Sequence, residues 1–245
     1  MRDILLGVDG MTIEDLTDIA KAGARVGLTH ESMDRIRRAR ELVDRWLAEG
    51  KIIYGMTTGF GALSDVVISI EDALLLQRNI LMSHAAGVGN ILDEETVRAI
   101  MALRIKDFAR GNSGIRIETV EHLIKLLNCG VYPVVPEKGS VVASGDLAPL
   151  AHLALVLIGL GEAICRGRKM PGAKALKECG MEPLQLQAAE GLALVNGTQV
   201  TNAIGGLALY DALRLAVLAD VAASMSIEVL MGSRTEFDPR IHRLR

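Results

Sequence analysis

Residues Ala143-Ser144-Gly145 form a tripeptide that could convert itself into an electrophile. If the Gly145 backbone nitrogen attacks the Ala143 carbonyl carbon, one water is lost there and a second is lost from the Ser144 side chain. The product is a methylidene-imidazolone ring with an exposed, electron-poor methylene carbon. Gly145 has no Cβ to hinder the close approach, Ser144 has a β-hydroxyl that can leave, and Ala143 adds no bulk. Because such tripeptides are common in loops, the prediction depends on the surrounding sequence.

The residues that follow the tripeptide predict a buried helix that would position it. Asp146 is expected to be the N-cap, and Pro149 falls in the first turn, where a missing N–H costs little. The positive end of this helix would draw electron density from the ring and favour the anion formed when a nucleophile adds. Leu147 to Ile164 is almost uncharged, and we interpret it as a core helix rather than a membrane span.

Four further segments accompany the run from Gly139 to His152 that contains the tripeptide. They read Tyr54-Gly-Met-Thr-Thr-Gly-Phe-Gly61, Ser83-His-Ala-Ala-Gly-Val-Gly89, Glu190-Gly-Leu-Ala-Leu-Val-Asn-Gly-Thr-Gln199, and Gly232-Ser-Arg234 with Phe237 to His242. In this order and spacing, the five segments resemble the aromatic amino-acid ammonia-lyases, whose methylidene-imidazolone arises from such a triad. The Ser83 segment resembles that of the histidine-specific branch. The resemblance covers essentially the whole chain but only about half of a family protein.

The resemblance implies that Tyr54 is the catalytic base. Eliminating ammonia from an α-amino acid requires a base beside the β-carbon, because the β-proton is only weakly acidic. The electrophile would activate the leaving group by binding the amine. A tyrosine can act as the base only where hydrogen bonds or positive charge favour its phenolate. The alternative for Tyr54 is simple packing at the edge of a loop. Thr57-Thr58-Gly59 departs from the Asn-Thr-Gly of histidine-specific members and leaves the substrate open.

Ser83, His84 and Asn196 are the expected substrate-binding residues, again by resemblance. The His84 imidazole could pair with a ring nitrogen of histidine, whereas phenylalanine would leave it unpaired at a cost of about 1–3 kcal/mol. A phenol could satisfy the same nitrogen, so tyrosine stays open. The Asn196 amide could bind the ring carbonyl or the substrate carboxylate. The alternatives are a structural histidine and an interior amide bonded to a neighbouring helix.

The composition predicts a helical cytoplasmic enzyme. Half of the residues are hydrophobic but only 3% are aromatic, which suits close helix packing, and the net charge of −3 gives no reason to expect a nucleic acid or an anionic membrane as partner. The basic run over residues 35–40 is interpreted as a solvated, self-paired helix face. Cys129, Cys165 and Cys179 are odd in number without metal-ligand spacing, so we expect no disulfide, no metal and a reducing compartment.

Apolar periodicity predicts a mainly α-helical fold with at most a small β-hairpin. Ser69 and Asp93 are expected to cap helices, and Gly130 to end one. Helices are expected over residues 12–24, 29–49, 70–84, 94–110, 117–129 and 198–231, and hairpin strands over residues 163–165 and 168–170. We divide the chain into a mixed helical region that bears the electrophile, residues 1–195, and the incomplete start of a central long-helix bundle, residues 196–245.

Three functional hypotheses follow from these observations. The first is a lyase that converts L-histidine into urocanate and ammonia, either as one subunit or as the N-terminal part of the enzyme. The second is a tyrosine lyase or an aminomutase, and the third is an inactive assembly partner. The resemblance places a second tyrosine, a carboxylate-binding arginine and a glutamate beyond Arg245, so we expect the isolated chain to be inactive. It also implies a homotetramer, or a hetero-oligomer with a chain that supplies the other half.

Overall fold

The computed structural model describes residues 2–61, 64–141 and 144–243, and helices dominate it, which confirms the mainly helical fold class. The helices are α1 (Ile13–Ala20), α2 (His30–Ala48), α3 (Ile70–His84), α4 (Glu94–Phe108), α5 (Ile117–Asn128), α6 (Leu147–Leu157), α7 (Gly172–Glu178), α8 (Glu190–Val195), α9 (Gln199–Val229) and α10 (Pro239–His242). The strands are β1 (Asp3–Leu6), β2 (Arg25–Leu28), β3 (Val88–Ile91), β4 (Val131–Pro133), β5 (Pro136–Lys138), β6 (Glu162–Cys165) and β7 (Arg168–Pro171).

Local sequence signals set the ends of several helices as predicted. The Ser69 hydroxyl accepts a hydrogen bond from the Asp72 backbone N–H at 3.1 Å, and the Asp93 carboxylate accepts one from Thr96 N–H at 2.7 Å. Each bond satisfies an N–H group that lacks a partner inside the helix. Gly130 follows α5 with φ +73°, a left-handed conformation that stops the helix at little cost.

The strands form three small sheets among the described residues. The predicted hairpin is present as β6 and β7, which pair antiparallel across Gly167. In addition, β4 joins β6, β3 pairs with β5, and β1 runs parallel to β2. The sequence did not predict these further strands because runs of three or four residues are too short to establish a period of two, and every residue of β3 is exposed.

Two helices that are buried on nearly every side form the centre of the molecule. One is α4, which packs against α1, α5 and α9; the other is α6, which packs against α3, α7 and α8. The buried run predicted to extend to Ile164 ends as a helix at Leu157, because Gly159 turns the chain with φ +77° toward β6. No helix in the described ranges is both long enough and apolar enough to span a bilayer.

The long helix α9 packs against the rest of the chain only at its start. Val200, Ala203 and Leu207 are buried, and a Cβ on Gly206 would lie 3.0 Å from a Leu16 side-chain carbon, so this glycine allows a close helix approach. Beyond that point the apolar side chains are exposed. They are Leu209, Leu213, Leu215, Val217, Leu218, Val221, Met225 and Val229. The division into residues 1–195 and 196–245 stays a prediction.

The cysteines correct one expectation. Cys129 and Cys179 form a disulfide between the C-terminal ends of α5 and α7, although they lie 50 residues apart in the sequence. The prediction of no disulfide was wrong, because spacing along the chain carries no information about two helix ends that fold together. Cys165 is free and buried in β6. Because disulfides persist mainly in oxidising compartments, the cysteines no longer favour a reducing compartment.

The basic run on α2 is self-paired, as predicted. Arg35, Arg37 and Arg40 each pair with an acidic side chain three or four residues away on the same helix, at distances of 2.9, 3.4 and 2.6 Å. The exposed pairs of Arg35 and Arg37 contribute about 0.3–0.5 kcal/mol each, whereas Arg40 is largely buried and also donates to the Gly114 and Ala188 carbonyls.

Candidate active site

Gly145, the last residue of the tripeptide, lies on a turn that only glycine fits. Ala143 is outside the described residues, Ser144 is exposed, and Gly145 is buried. Gly145 has φ +116°, and a Cβ there would lie 2.5 Å from the Gly197 carbonyl oxygen and 2.7 Å from the Gly197 nitrogen. Both the conformation and the space therefore exclude a side chain. The Asp146 N–H donates to the same Gly197 carbonyl at 2.7 Å, which fixes the tripeptide against residues 196–197.

Asp146 occupies the predicted N-cap position of α6, but its carboxylate caps a different helix. No side-chain bond reaches α6; instead, the buried carboxylate accepts bonds from the Thr201 N–H at 2.8 Å, the Thr201 hydroxyl at 2.9 Å and the Ser140 hydroxyl at 2.6 Å. Thr201 lies in the first turn of α9, whose positive end favours a carboxylate. Asp146 therefore connects the Ser144–Gly145 turn to α9. The N-termini of α6 and α9 meet at Gly145 and Gly197.

Asn196 ends α8 beside this turn, and its side chain is exposed. Its backbone N–H donates to the Leu192 carbonyl at 3.0 Å, and its own carbonyl accepts from Arg104 at 3.0 Å. The alternative of an interior amide bonded to a neighbouring helix is thus wrong for the side chain. The sequence did not single out Arg104, which is one of three basic residues, with Arg98 and Lys106, among the apolar residues of α4.

A buried ion pair anchors the other end of α8. The Glu190 carboxylate is fully buried and accepts from the Arg116 guanidinium at 2.7 Å, from the Thr119 hydroxyl at 2.5 Å and from the Gln187 N–H at 2.8 Å. On the side that faces α3, Gly191 N–H donates to the Gln77 side chain at 2.9 Å. Because α8 has only six residues, these anchors rather than its own length hold it in place.

We expect Glu190→Gln to lower the free energy of unfolding by about 3 kcal/mol, because it leaves the Arg116 charge without its buried partner. Urea unfolding of the chain measures this loss. The control is Glu162→Gln, which removes an exposed carboxylate 2.7 Å from Lys169 and should cost less than about 1 kcal/mol. Equal losses in the two variants would contradict a special role for the Glu190 network.

The segment that carries Ser83 and His84 is held against α6. Gly87 N–H donates to His152 Nε2 at 3.0 Å, which requires a neutral His152 ring. Burial also favours the neutral ring, because it lowers the pKa of His152. His84 Nδ1 lies 2.9 Å from the Ile80 carbonyl oxygen. Since that oxygen only accepts, the tautomer that fits this contact carries its proton on Nδ1 and has its acceptor lone pair on Nε2. The Ser83 hydroxyl oxygen also lies 3.1 Å from His84 Nδ1.

Tyr54 begins the loop that ends at Gly61 and is 54% exposed. Its phenol oxygen accepts a bond from the Gly61 N–H at 3.2 Å, and its ring meets Phe60 edge-on with centroids 6.0 Å apart. A Cβ on Gly55 would lie 2.7 Å from a Leu192 side-chain carbon, so the loop rests on α8. The Gly61 N–H thus holds the phenol oxygen at the end of the loop.

The predicted residues thus fall into two groups. In the first group, Gly145 packs on Gly197, which directly follows Asn196. In the second, the loop that begins at Tyr54 packs on α8, and the segment that carries Ser83 and His84 is bonded to α6. Over the described ranges, no three His, Cys, Asp or Glu side chains are arranged to hold a metal ion. The exposed Ser144 and the exposed Asn196 lie beside the N-termini of α6 and α9, which suits a small polar substrate with an anionic group.

Comparison with known proteins identifies the class. Residues 11–245 match the family model for aromatic amino acid lyase. Histidine ammonia-lyases from Alkaliphilus oremlandii and Symbiobacterium thermophilum are 49% and 52% identical over 245 residues, which cover 100% of this chain and 48% of each relative. The chain belongs to the aromatic amino acid lyase family. It spans about half the length of the curated relatives that it matches.

Solved structures agree with this assignment. The chain superimposes on histidine ammonia-lyase from Trypanosoma cruzi with a TM-score of 0.92 and 39% identity, covering 100% of this chain and 47% of that one. A phenylalanine aminomutase from Pantoea agglomerans gives a TM-score of 0.93 and 36% identity over 100% of this chain and 47% of that one. The fold is therefore shared by lyases and aminomutases.

Proposed function

We propose that this chain is the N-terminal half, or one subunit, of a histidine ammonia-lyase that converts L-histidine into urocanate and ammonia. The observation that carries the proposal is the Ser144–Gly145 turn, which is packed on Gly197 beside the exposed Asn196 amide. Histidine as substrate is supported by the names of the relatives at 49% and 52% identity. It is also supported by His84, whose Nε2 can accept a bond from a substrate ring N–H.

The residues present fit a methylidene-imidazolone made from Ala143, Ser144 and Gly145. Gly145 has φ +116° and no room for a Cβ beside Gly197, so its backbone has the bend that only glycine allows, and Ser144 is exposed, so its hydroxyl can leave as water. When formed, the ring would supply an electrophilic carbon that makes the substrate amino group a good leaving group. The N-termini of α6 and α9 would stabilise negative charge that develops nearby. No metal is required by this chemistry.

The remaining roles fall to side chains of the chain itself. Tyr54 would remove the β-proton, assisted by the Gly61 N–H that donates to its oxygen. His84, oriented through Ile80 and Ser83, would read the substrate ring. The Asn196 amide would bind the substrate carboxylate or the ring carbonyl, because Arg104 already occupies its backbone carbonyl and the side chain points outward.

His84→Leu should lower kcat/KM for histidine by an amount equivalent to about 1–3 kcal/mol, because the variant cannot accept the substrate ring N–H. The measurement compares kcat/KM for histidine, tyrosine and phenylalanine in the assembled protein. His30→Leu, at the exposed start of α2, serves as the control. Unchanged ratios among the three substrates would remove His84 as the selecting residue.

A second candidate keeps the site but changes the reaction. The structural neighbours include a phenylalanine aminomutase and a tyrosine aminomutase from Streptomyces globisporus, so a tyrosine lyase or an aminomutase is the alternative. Product analysis after incubation with histidine and with tyrosine separates these functions, since an aminomutase returns a β-amino acid. The third possibility, an inactive assembly partner, predicts no turnover with either substrate after the other half is added.

We further propose that the working enzyme is an oligomer, either of identical subunits or with a chain that supplies the other half. The exposed apolar side chains of α9 beyond Leu207 support this, because a surface of this kind is normally covered in the assembled protein. The partner small molecule is an amino acid, and no nucleic acid or membrane is expected. A cytoplasmic location is also proposed. It is supported by the composition of the chain and not by its cysteines, two of which form a disulfide.

A further inference from the structure

Arg104 is a buried cation that binds both sides of the turn between α8 and α9. Its side chain is 2% exposed. One terminal nitrogen donates to the Asn196 carbonyl at 3.0 Å and to the Gln199 side-chain oxygen at 2.7 Å, and the other donates to the Ala193 carbonyl. The carbonyls of Ala193 and Asn196 end α8, where a positive charge is favourable, and Gln199 begins α9.

Two further contacts hold the Arg104 guanidinium, although its buried Nε has no hydrogen-bond partner among the described residues. Its guanidinium carbon lies 4.5 Å from the centre of the Phe108 ring, and its ion pair with Asp107, at 3.4 Å, reaches a half-exposed carboxylate. Burial lowers its pKa to about 10, so the charge persists at neutral pH. Desolvating a charge on this scale is costly unless the bonds it makes are well formed.

The turn held by Arg104 is also the surface against which the electrophile packs. A Cβ on Gly197 would lie 2.4 Å from an Arg104 terminal nitrogen, and a Cβ on Gly145 would lie 2.5 Å from Gly197 oxygen. The three groups are therefore stacked in direct contact as Arg104, Gly197 and Gly145. A displacement of Gly197 would move both the Asn196 amide on one side and the Ser144–Gly145 turn on the other.

We propose that Arg104 is a positioning residue that sets the placement of the Asn196 amide and of the tripeptide that cyclises. This inference rests on the proposed function and adds a residue that touches neither substrate nor the reacting atoms. It acts on ring formation and on turnover through the same turn. A lysine at this position would keep the charge, but its single nitrogen cannot match the forked geometry that reaches three acceptors.

The test uses the protein assembled with the C-terminal half and compares Arg104→Lys with Arg98→Lys. Arg98 is a matched control because it lies on the same helix, is 7% exposed and donates to the Ile19 carbonyl and the Tyr132 hydroxyl, outside the site. Intact mass gives the fraction of chains that have lost two waters. Kinetics give KM and the kcat per cyclised site, and thermal unfolding gives the midpoint temperature. Arg104→Lys should reduce the cyclised fraction and lower kcat per cyclised site about tenfold or more. Arg98→Lys should change only the midpoint.

Complete cyclisation with unchanged kcat and KM in Arg104→Lys would overturn the inference and leave Arg104 a structural residue. If that variant does not fold, Gln199→Ala decides, because it removes one acceptor and leaves the guanidinium in place. It should also lower kcat per cyclised site, and parental values would overturn the inference. The parent protein separates this question from the proposed function: a parent that neither loses two waters nor turns over histidine refutes the function itself.

Discussion

Replacing Ser144 with alanine should lower histidine turnover in the assembled protein by about a thousandfold or more, the scale on which enzymes lose rate when the group that bonds covalently to the substrate is removed. The expected cause is chemical. Alanine has no β-oxygen, so the second water cannot leave and no electron-poor methylene carbon can form. Ser144 is exposed, so the substitution should change the free energy of unfolding by less than about 0.5 kcal/mol. Urocanate formation, followed by its ultraviolet absorbance, measures the effect.

Ser144→Cys is the matched comparison for that variant. It keeps a β-heteroatom that can still be eliminated, as hydrogen sulfide in place of the second water, so part of the turnover should survive and the cyclised chains should be lighter by one water and one hydrogen sulfide. Ser144→Ala and Ser144→Cys are similar in size and exposure, and a difference between them reports the leaving group rather than the fold. Turnover by Ser144→Ala at the parental rate would show that the serine takes no part in the reaction.

The second large effect concerns the chain by itself, which should show little or no lyase activity. Elimination requires the substrate carboxylate, the amine, the β-carbon and the base to be aligned together, and each displaced group typically costs about a hundredfold. Asn196 and Tyr54 are exposed, and the outer two thirds of α9 presents apolar side chains without cover. Adding a polypeptide with the C-terminal half should restore urocanate formation and convert the chain into a defined oligomer.

The control for this experiment is the same mixture made with Ser144→Ala. It should form the oligomer but recover no activity, which excludes a contribution from the added polypeptide alone. Size-exclusion chromatography with light scattering follows assembly, and the urocanate assay follows turnover. Strong histidine turnover by the purified 245-residue chain without a partner would show that other residues of this chain complete the site.

The features that the sequence predicted well are the ones that are encoded locally. Ser69 and Asp93 cap their helices because each accepts a bond from an N–H three residues on, and the hairpin across Gly167 turns within neighbouring residues. The resemblance to the family identified five segments. The structure places two of them, residues 139–152 and 190–199, in direct contact through Gly145 and Gly197. Local rules and matched motifs therefore captured the helices and the outline of the candidate site.

The features that sequence reasoning missed depend on residues that are far apart in the chain. Asp146 had every local property of a cap for α6, yet its carboxylate binds Thr201, 55 residues later. Arg104 reaches Asn196 across 92 residues, and the Cys129 disulfide closes over 50. Nothing in the spacing of these residues indicates that they meet, because the polar contacts are set by how α4, α6, α8 and α9 pack together and the disulfide by where α5 and α7 end.

The intact mass of the assembled protein shows whether the tripeptide has become a methylidene-imidazolone. We expect a chain that is lighter than its sequence mass by two water molecules, with the loss mapped to the peptide that contains Ala143, Ser144 and Gly145. The same peptide from Ser144→Ala should not lose the second water. A folded, fully assembled protein with an unmodified Ser144 and the full sequence mass would show that no such ring forms and that the proposed chemistry is wrong.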